Sequence, residues 1–161
     1  MADVIFDLEQ AIDITAAMGA AYLLALPLGW ERKTRGAAHI GLRTLPLVSV
    51  GTCAYLLMSR LLFEAGVFDA DGMARAVRAM MTGIGFIGGG AILKQANDVK
   101  GVKGVATAAS VWTTGAIATS VAHGYYSVAV VLSVTSVLVV EVSGVFIHRA
   151  HPNRVAKHEP D

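Results

Sequence analysis

Five long apolar runs, separated by short polar islands, constrain this chain more than any other feature of its sequence. They lie at residues 14–30, 44–63, 79–93, 105–122 and 125–147. A helix needs about 20 residues to cross the hydrocarbon of a bilayer, with about 17 as a common lower limit. The second and fifth runs meet that length, the fourth is acceptable, and the first reaches it with generous ends. The third is short until it is extended back through Arg75 and Arg78, which places an arginine near the interface. Backbone polar groups in lipid must be satisfied inside helices or closed barrels. The runs are too long and alternate too poorly to be barrel strands, so helices remain. Composition agrees: 55% of the residues are apolar and 16% charged, against about 45–50% and about 25% in soluble domains. The expected fold is all-α, a polytopic transmembrane helical bundle of about five spans.

Charge placement gives that bundle a direction. Arg32, Lys33, Arg35 and Arg43 follow the first run, Lys94, Lys100 and Lys103 follow the third, and Arg149, Arg154 and Lys157 follow the fifth. Arg60, Arg75 and Arg78 fall at the other end, together with Glu64, Asp69 and Asp71. Basic residues favour the cytoplasm. The division predicts an acidic extracytoplasmic segment at 1–13, a transmembrane domain at 14–147 and a cytoplasmic tail at 148–161, in a multi-pass protein of the cell inner membrane. Asp3, Asp7, Glu9 and Asp13 stand where a signal peptide would have a basic region. Trp30, Phe63, Tyr125, Tyr126 and Phe146 fall near the ends of runs, as interfacial aromatics do. The net charge of +1 gives no reason to expect nucleic acid binding, and the lone Cys53 has no partner for an intrachain disulfide. A faint echo links Gly41-Leu42-Arg43-Thr44, opening the second run, with Gly104-Val105-Ala106-Thr107, opening the fourth. Two helix pairs of like orientation would produce it.

Several residues could carry function. Glu31 and Arg43 both sit at the cytoplasmic boundary, where a charge must pair or snorkel. They read either as part of a topology-setting loop or as an interfacial pair that gates a site or closes the bundle. Gly83, Gly85, Gly88, Gly89 and Gly90 crowd the third run. No strand precedes them and no Gly-Lys-Ser/Thr follows, so a nucleotide loop is a poor reading. Gly85 and Gly89, four apart, offer a close helix-packing face, and so many glycines could alternatively unwind the helix. Thr107, Ser110 and Thr114 form one stripe on the fourth run, expected to meet that glycine face. Such hydroxyls can equally bond back to their own helix. Glu141 is the most isolated ionisable residue within a run and, with Asp13, could mark the ends of a cation or proton path. Asp69 with Asp71, and His148 with His151, are too sparse to make a metal site. No cofactor motif and no nucleophile–base arrangement is present, so an enzyme is not expected.

The blocks Gly29-Trp30-Glu31-Arg32, Gly41-Leu42-Arg43-Thr44, the run from Gly83 to Ile92, and Val102 to Trp112 with Thr107-Ala108-Ala109 resemble the MgtC/SapB family of bacterial inner-membrane proteins. That resemblance implies an integral membrane protein linked to magnesium limitation or intracellular survival. It implies a regulatory role toward a partner membrane complex, such as the F-type ATP synthase, with transport of Mg²⁺ or another small solute as the alternative. It marks Glu31, Arg43 and the Gly83–Gly90 block as family positions without giving them ligand roles. Beyond the lipid bilayer, the glycine-rich helix would allow a homo-oligomer.

Overall fold

The computed structural model describes residues 8–34, 41–96 and 104–150, with side chains described outside 32–34, 93–96 and 145–150. Five helices follow one another: α1 (Leu8–Thr34), α2 (Thr44–Glu64), α3 (Ala70–Ala96), α4 (Val105–Ala122) and α5 (Tyr126–Ala150). By length and apolarity α1, α2, α4 and α5 can each cross a membrane. The helix α3 has 27 residues, about 40 Å at 1.5 Å per residue. Asp71, Arg75 and Arg78 in its first turns keep it less apolar than the others. The acidic start is partly helical: α1 begins at Leu8 and carries Glu9 and Asp13 into the bundle end. Phe146, the His148/His151 pair and the tail lie outside the described side chains.

Local sequence explains where the helices turn. Asp69 caps α3, its Oδ1 accepting the Gly72 N–H at 2.7 Å, the usual N-cap arrangement. At the C-termini of α2 and α4 the chain reverses through Gly66 and Gly124, both with positive φ. There the Val67 N–H donates to the Leu62 carbonyl and the Tyr125 N–H to the Ser120 carbonyl, which satisfies carbonyls a helix end would leave open. Pro27 removes one backbone donor inside α1, yet the helix runs on through it.

The four-residue echo extends into the architecture. The pairs α1–α2 and α3–α4 are equivalent helix hairpins, and α1 and α3 have 27 residues each. Gly29 of α1 lies against Gly41 and Leu42, where an added Cβ would stand 3.1 Å from the Gly41 carbonyl oxygen. At the equivalent place, 63 residues on, Ile92 of α3 lies against Gly104. The helices α2 and α4 pack together at the centre. Each first helix packs most extensively on its own partner and more sparsely on the other pair's second helix. Among the described residues the fifth helix lies mainly on α1 and α4, and one side of α3 is exposed.

Small side chains fill the centre. Ala17, Ala21, Cys53, Ile117, Ala118 and Ala129 form one buried cluster, and Leu28, Leu45, Ile84 and Val111 another. Helices in lipid gain little from hydrophobic burial against one another and associate through close van der Waals contact, which small residues permit. Two hydroxyls tie separate helices together. Ser49 Oγ of α2 donates to the Ala21 carbonyl at 2.8 Å, and Ser133 Oγ of α5 donates to the Leu24 carbonyl at 2.7 Å.

Candidate functional site

The ends of α1 and α3 and the starts of α2 and α4 meet at one end of the bundle, joined by the basic segments of the sequence. Here the structure separates Glu31 from Arg43. Glu31 is 3% exposed, the one buried charged side chain among the described residues. It stands two residues beyond Gly29, where α1 presses on the Gly41–Leu42 backbone. Arg43 is exposed at the N-cap of α2, and Thr44, the first helical residue, is half-buried. The two residues expected at one boundary, as a topology-setting loop or an interfacial pair, thus differ in burial. A buried carboxylate costs several kcal/mol unless charge or hydrogen bonds compensate it (about that order after relaxation). Such a residue is a functional candidate by default in a membrane protein.

Glu141 has the opposite placement. It is exposed on the outer side of α5, so it does not supply an interior carboxylate to a path through the bundle. Asp13 is exposed at the far end, lining with Glu9, Arg60 and Glu64 a cavity of about 560 Å³. Arg60 Nε donates to Glu64 Oε1 there at 2.8 Å. Between that cavity and Glu31 lie Ala21, Ala25, Leu28, Leu56 and Ile117, all closed off from solvent. Among the described residues no group of three or more His, Cys, Asp or Glu side chains could hold a metal ion.

The glycine block folds differently from the expectation. The third helix stays α-helical through Gly83–Gly90, so it does not unwind. Gly83, Gly85 and Gly89 meet nothing within 4 Å of an added Cβ, whereas at Gly88 that atom would lie 3.4 Å from the Ala108 carbonyl oxygen. Contact with α4 therefore runs through Gly88 and Ile84, and Gly85 and Gly89 point away from it. Phe86, 85% exposed, shares this outward side. The reason lies in helix geometry: at 100° per residue, Ile84 and Gly88 share a stripe that Gly85 and Gly89 adjoin but do not occupy.

Thr107, Ser110 and Thr114 form a buried stripe as expected, but its direction is wrong for α3. Ala108 and Gly115 face α3, and the hydroxyl stripe occupies the other side of α4. The Ser110 hydroxyl donates to the Ala106 carbonyl at 2.9 Å and the Thr114 hydroxyl to the Ser110 carbonyl at 2.8 Å. Thr113, Thr119 and Ser120 make the same back-bond. These hydroxyls serve their own helix, as the sequence allowed.

Sequence reasoning did not find Ser49 and Ser133, whose bonds cross between helices. Their signal was weak: each is a lone serine among apolar residues, on the side of its helix that becomes buried. Gly104 entered only as part of the echo with Gly41, and its positive φ and tight approach to Ala91 were not foreseen. Between α4 and α5, at the end where the two helices diverge from their turn, lies a groove of about 450 Å³ floored by Leu28.

Residues 18–149 match the MgtC family. The chain is 35% identical over 119 residues to the putative magnesium transporter YhiD of Escherichia coli K12, covering 71% of this chain and 53% of that protein. It is 34% identical over 119 residues to protein MgtC of Brucella abortus, covering 74% and 46%, and 26% identical over 157 residues to protein SapB of Bacillus subtilis, covering 91% and 63%. The chain thus spans about half to two-thirds of the length of these relatives. No solved structure matches it. With its long apolar helices and a family match across nearly the whole bundle, this multi-pass inner-membrane chain belongs to the MgtC/SapB family.

Proposed function

We propose that this protein is a non-enzymatic regulatory component of the inner membrane, acting under magnesium limitation on a partner membrane complex. The observation that supports this most is the packed apolar centre. Ala21, Ala25, Leu28, Leu56 and Ile117 separate the charged far end from Glu31, whereas a conducting path needs polar groups along its length. The F-type ATP synthase is a candidate partner. The outward side of α3, with Gly85, Phe86 and Gly89, offers a surface for a second copy or a partner helix. In this reading α3 is the fifth span, the N-terminus is outside and the tail beyond 147 is cytoplasmic. Glu31 holds the shape of the cytoplasmic end, and exposed Arg43 meets the partner.

A second reading, transport of Mg²⁺ or another small solute, has two supports. One is the name of the Escherichia coli relative, a putative magnesium transporter. The other is Glu31 itself, a buried carboxylate of the kind ion pathways use.

The regulatory reading is tested by growth under magnesium limitation in a strain lacking the gene. Arg43→Ala and Glu31→Gln are expected to accumulate normally in the membrane and fail to support growth, while Glu141→Gln supports it. Photo-crosslinkers placed at position 43 should capture a membrane protein that a crosslinker at Tyr126 does not. Full growth with both Arg43→Ala and Glu31→Gln would overturn the assignment of the cytoplasmic end. Single-cysteine labelling of positions 71 and 97 on opposite sides supports five spans, and labelling from one side removes α3 from the count.

A further inference from the structure

We propose that the outward stripe of α3 docks one transmembrane helix of a different protein, which carries an Asp or Glu near its extracytoplasmic end to meet Arg78. The proposal rests on the reading of α3 as a span of a protein that acts on a partner complex, and it names the chemistry of that partner. Helix geometry puts the residues concerned on one line. Arg78, Thr82, Gly85 and Gly89 are spaced four, three and four apart, so at about 100° per residue they fall within about 60° of the helix circumference. Phe86 borders that line and is 85% exposed, while Ile84 and Gly88, which hold α4, lie across the helix from it. Gly85 and Gly89 meet nothing within 4 Å of an added Cβ. The backbone is bare there, and a second helix can approach it closely.

Charge names the occupant. Arg78 is exposed, and its neighbour Val77 lines a groove with Thr119 and Ser120 of α4. Arg78 therefore stands within about one turn of the end of α4 at Ala122, inside the length of a helix that can cross the membrane. The other two arginines at this end are compensated, Arg60 by Glu64 at 2.8 Å and Arg75 by Asp69 at 3.6 Å. Among the described residues no carboxylate pairs with Arg78. Its Nε donates to the Ala74 carbonyl at 3.3 Å, which leaves both terminal nitrogens to be met. The Thr82 hydroxyl donates to the Arg78 carbonyl at 3.0 Å, so the guanidinium is the unmet polar group of this stripe.

An ionisable group within a span calls for a partner of opposite charge, and a carboxylate takes the two terminal nitrogens of an arginine together. A second copy of this chain does not supply one. Two copies in one membrane pack about an axis along the bilayer normal, which sets the same residues side by side at the same depth. Arg78 would then face Arg78, and like charges oppose the contact. Lipid hydrocarbon offers the guanidinium no acceptor at all. A separate helix with a carboxylate at this level meets both demands, closing on the glycines with its large side chains and on Arg78 with its charge.

The test uses the full chain and synthetic helices in phosphatidylcholine vesicles, with energy transfer between them reading association. Each helix is a Leu/Ala host of about 20 residues, with Glu or Gln one turn inside one end. The wild type should bind the Glu helix about tenfold more tightly than the Gln helix, equivalent to about 1.4 kcal/mol. Arg78→Gln should remove that preference, and Arg78→Glu should transfer it to a helix with Lys at the same place. Gly85→Leu should weaken both helices, while Val131→Phe, exposed on α5, should weaken neither. A preference absent from the wild type, or one that survives in Arg78→Gln, overturns the proposal. So does its loss when phosphatidylglycerol is added, which gives Arg78 to lipid headgroups. Disulfide-linked copies of Phe86→Cys in the absence of any added helix also overturn it, giving the face to a second copy. Binding that follows Arg78, together with full growth of Arg43→Ala and Glu31→Gln, keeps this surface and removes the regulatory reading. Absent binding with both growth defects does the reverse.

Discussion

The two helix hairpins share a plan and differ in what they enclose. In the first, α1 is covered by α2, α4 and α5, and it holds both Glu31 and the Ala21 and Leu24 carbonyls that receive hydroxyls from neighbouring helices. In the second, α3 leans mainly on α4 and α2, and its other side presents Gly83, Gly85, Phe86 and Ile87 outward. Polar chemistry sits where a helix is enclosed, because an interior polar group can be satisfied there and one facing lipid cannot. The open side of α3 carries exposed Arg75, Arg78 and Thr82 toward its start, and Gly83, Gly85 and Gly89 there do not pack within the chain. A repeated plan thus yields one half that holds a buried charge and one half that leaves a bare surface.

The largest effect should come from the backbone crossing that the hairpins share. Gly104→Ala would place Cβ 2.6 Å from the Ala91 carbonyl oxygen at a φ of +88°. The left-handed conformation costs about 1–2 kcal/mol and the overpacking about 1–3 kcal/mol. A marked fall in thermal stability in detergent is expected. A variant that melts with the wild type would contradict the close crossing of Gly104 on Ala91. Next come the third-helix glycines. Gly88→Leu should cost about 1–3 kcal/mol against Ala108, while Gly85→Leu leaves the folded single chain unchanged. If circular dichroism melts rank them the other way, α3 is rotated from the orientation described.

Smaller effects sharpen the contrast in hydroxyl use. Ser49→Ala and Ser133→Ala each remove a bond between helices, worth about 0.6 kcal/mol in a membrane protein. Thr119→Ala removes a bond within one helix and should be milder in the same melts. Equal losses for all three would mean the inter-helix bonds contribute nothing special. Least of all, Arg60→Ala should shift stability by under about 0.5 kcal/mol, as exposed i, i+4 ion pairs do.

Much of this was legible beforehand. The helices stand where the apolar runs stood, because length and uniform apolarity leave a membrane chain few alternatives. The echo before Thr44 and Thr107 falls where α2 and α4 each begin. The sequence could not say which way a stripe faces. Gly85 and Gly89 have the packing spacing, and so does Ile84 with Gly88. Only the rotation of α3, set by contacts from α2 and α4, selects between them. The same limit left the burial of the two carboxylates open. Glu141 lies well inside an apolar run and is exposed, since α5 is covered on one side. Glu31 lies at the edge of a run and is buried. Depth along a helix could be read from the sequence, and enclosure by neighbouring helices could not.

The central claim is that the apolar centre closes the bundle and Glu31 shapes its cytoplasmic end without forming a conducting path. Ion flux into liposomes reconstituted with the purified chain tests this most directly, using imposed Mg²⁺ and proton gradients for wild type and Glu31→Gln. The account predicts no flux above that of protein-free liposomes in either, with both proteins folded. Wild-type flux that Glu31→Gln abolishes would contradict it and make this carboxylate part of a transport path.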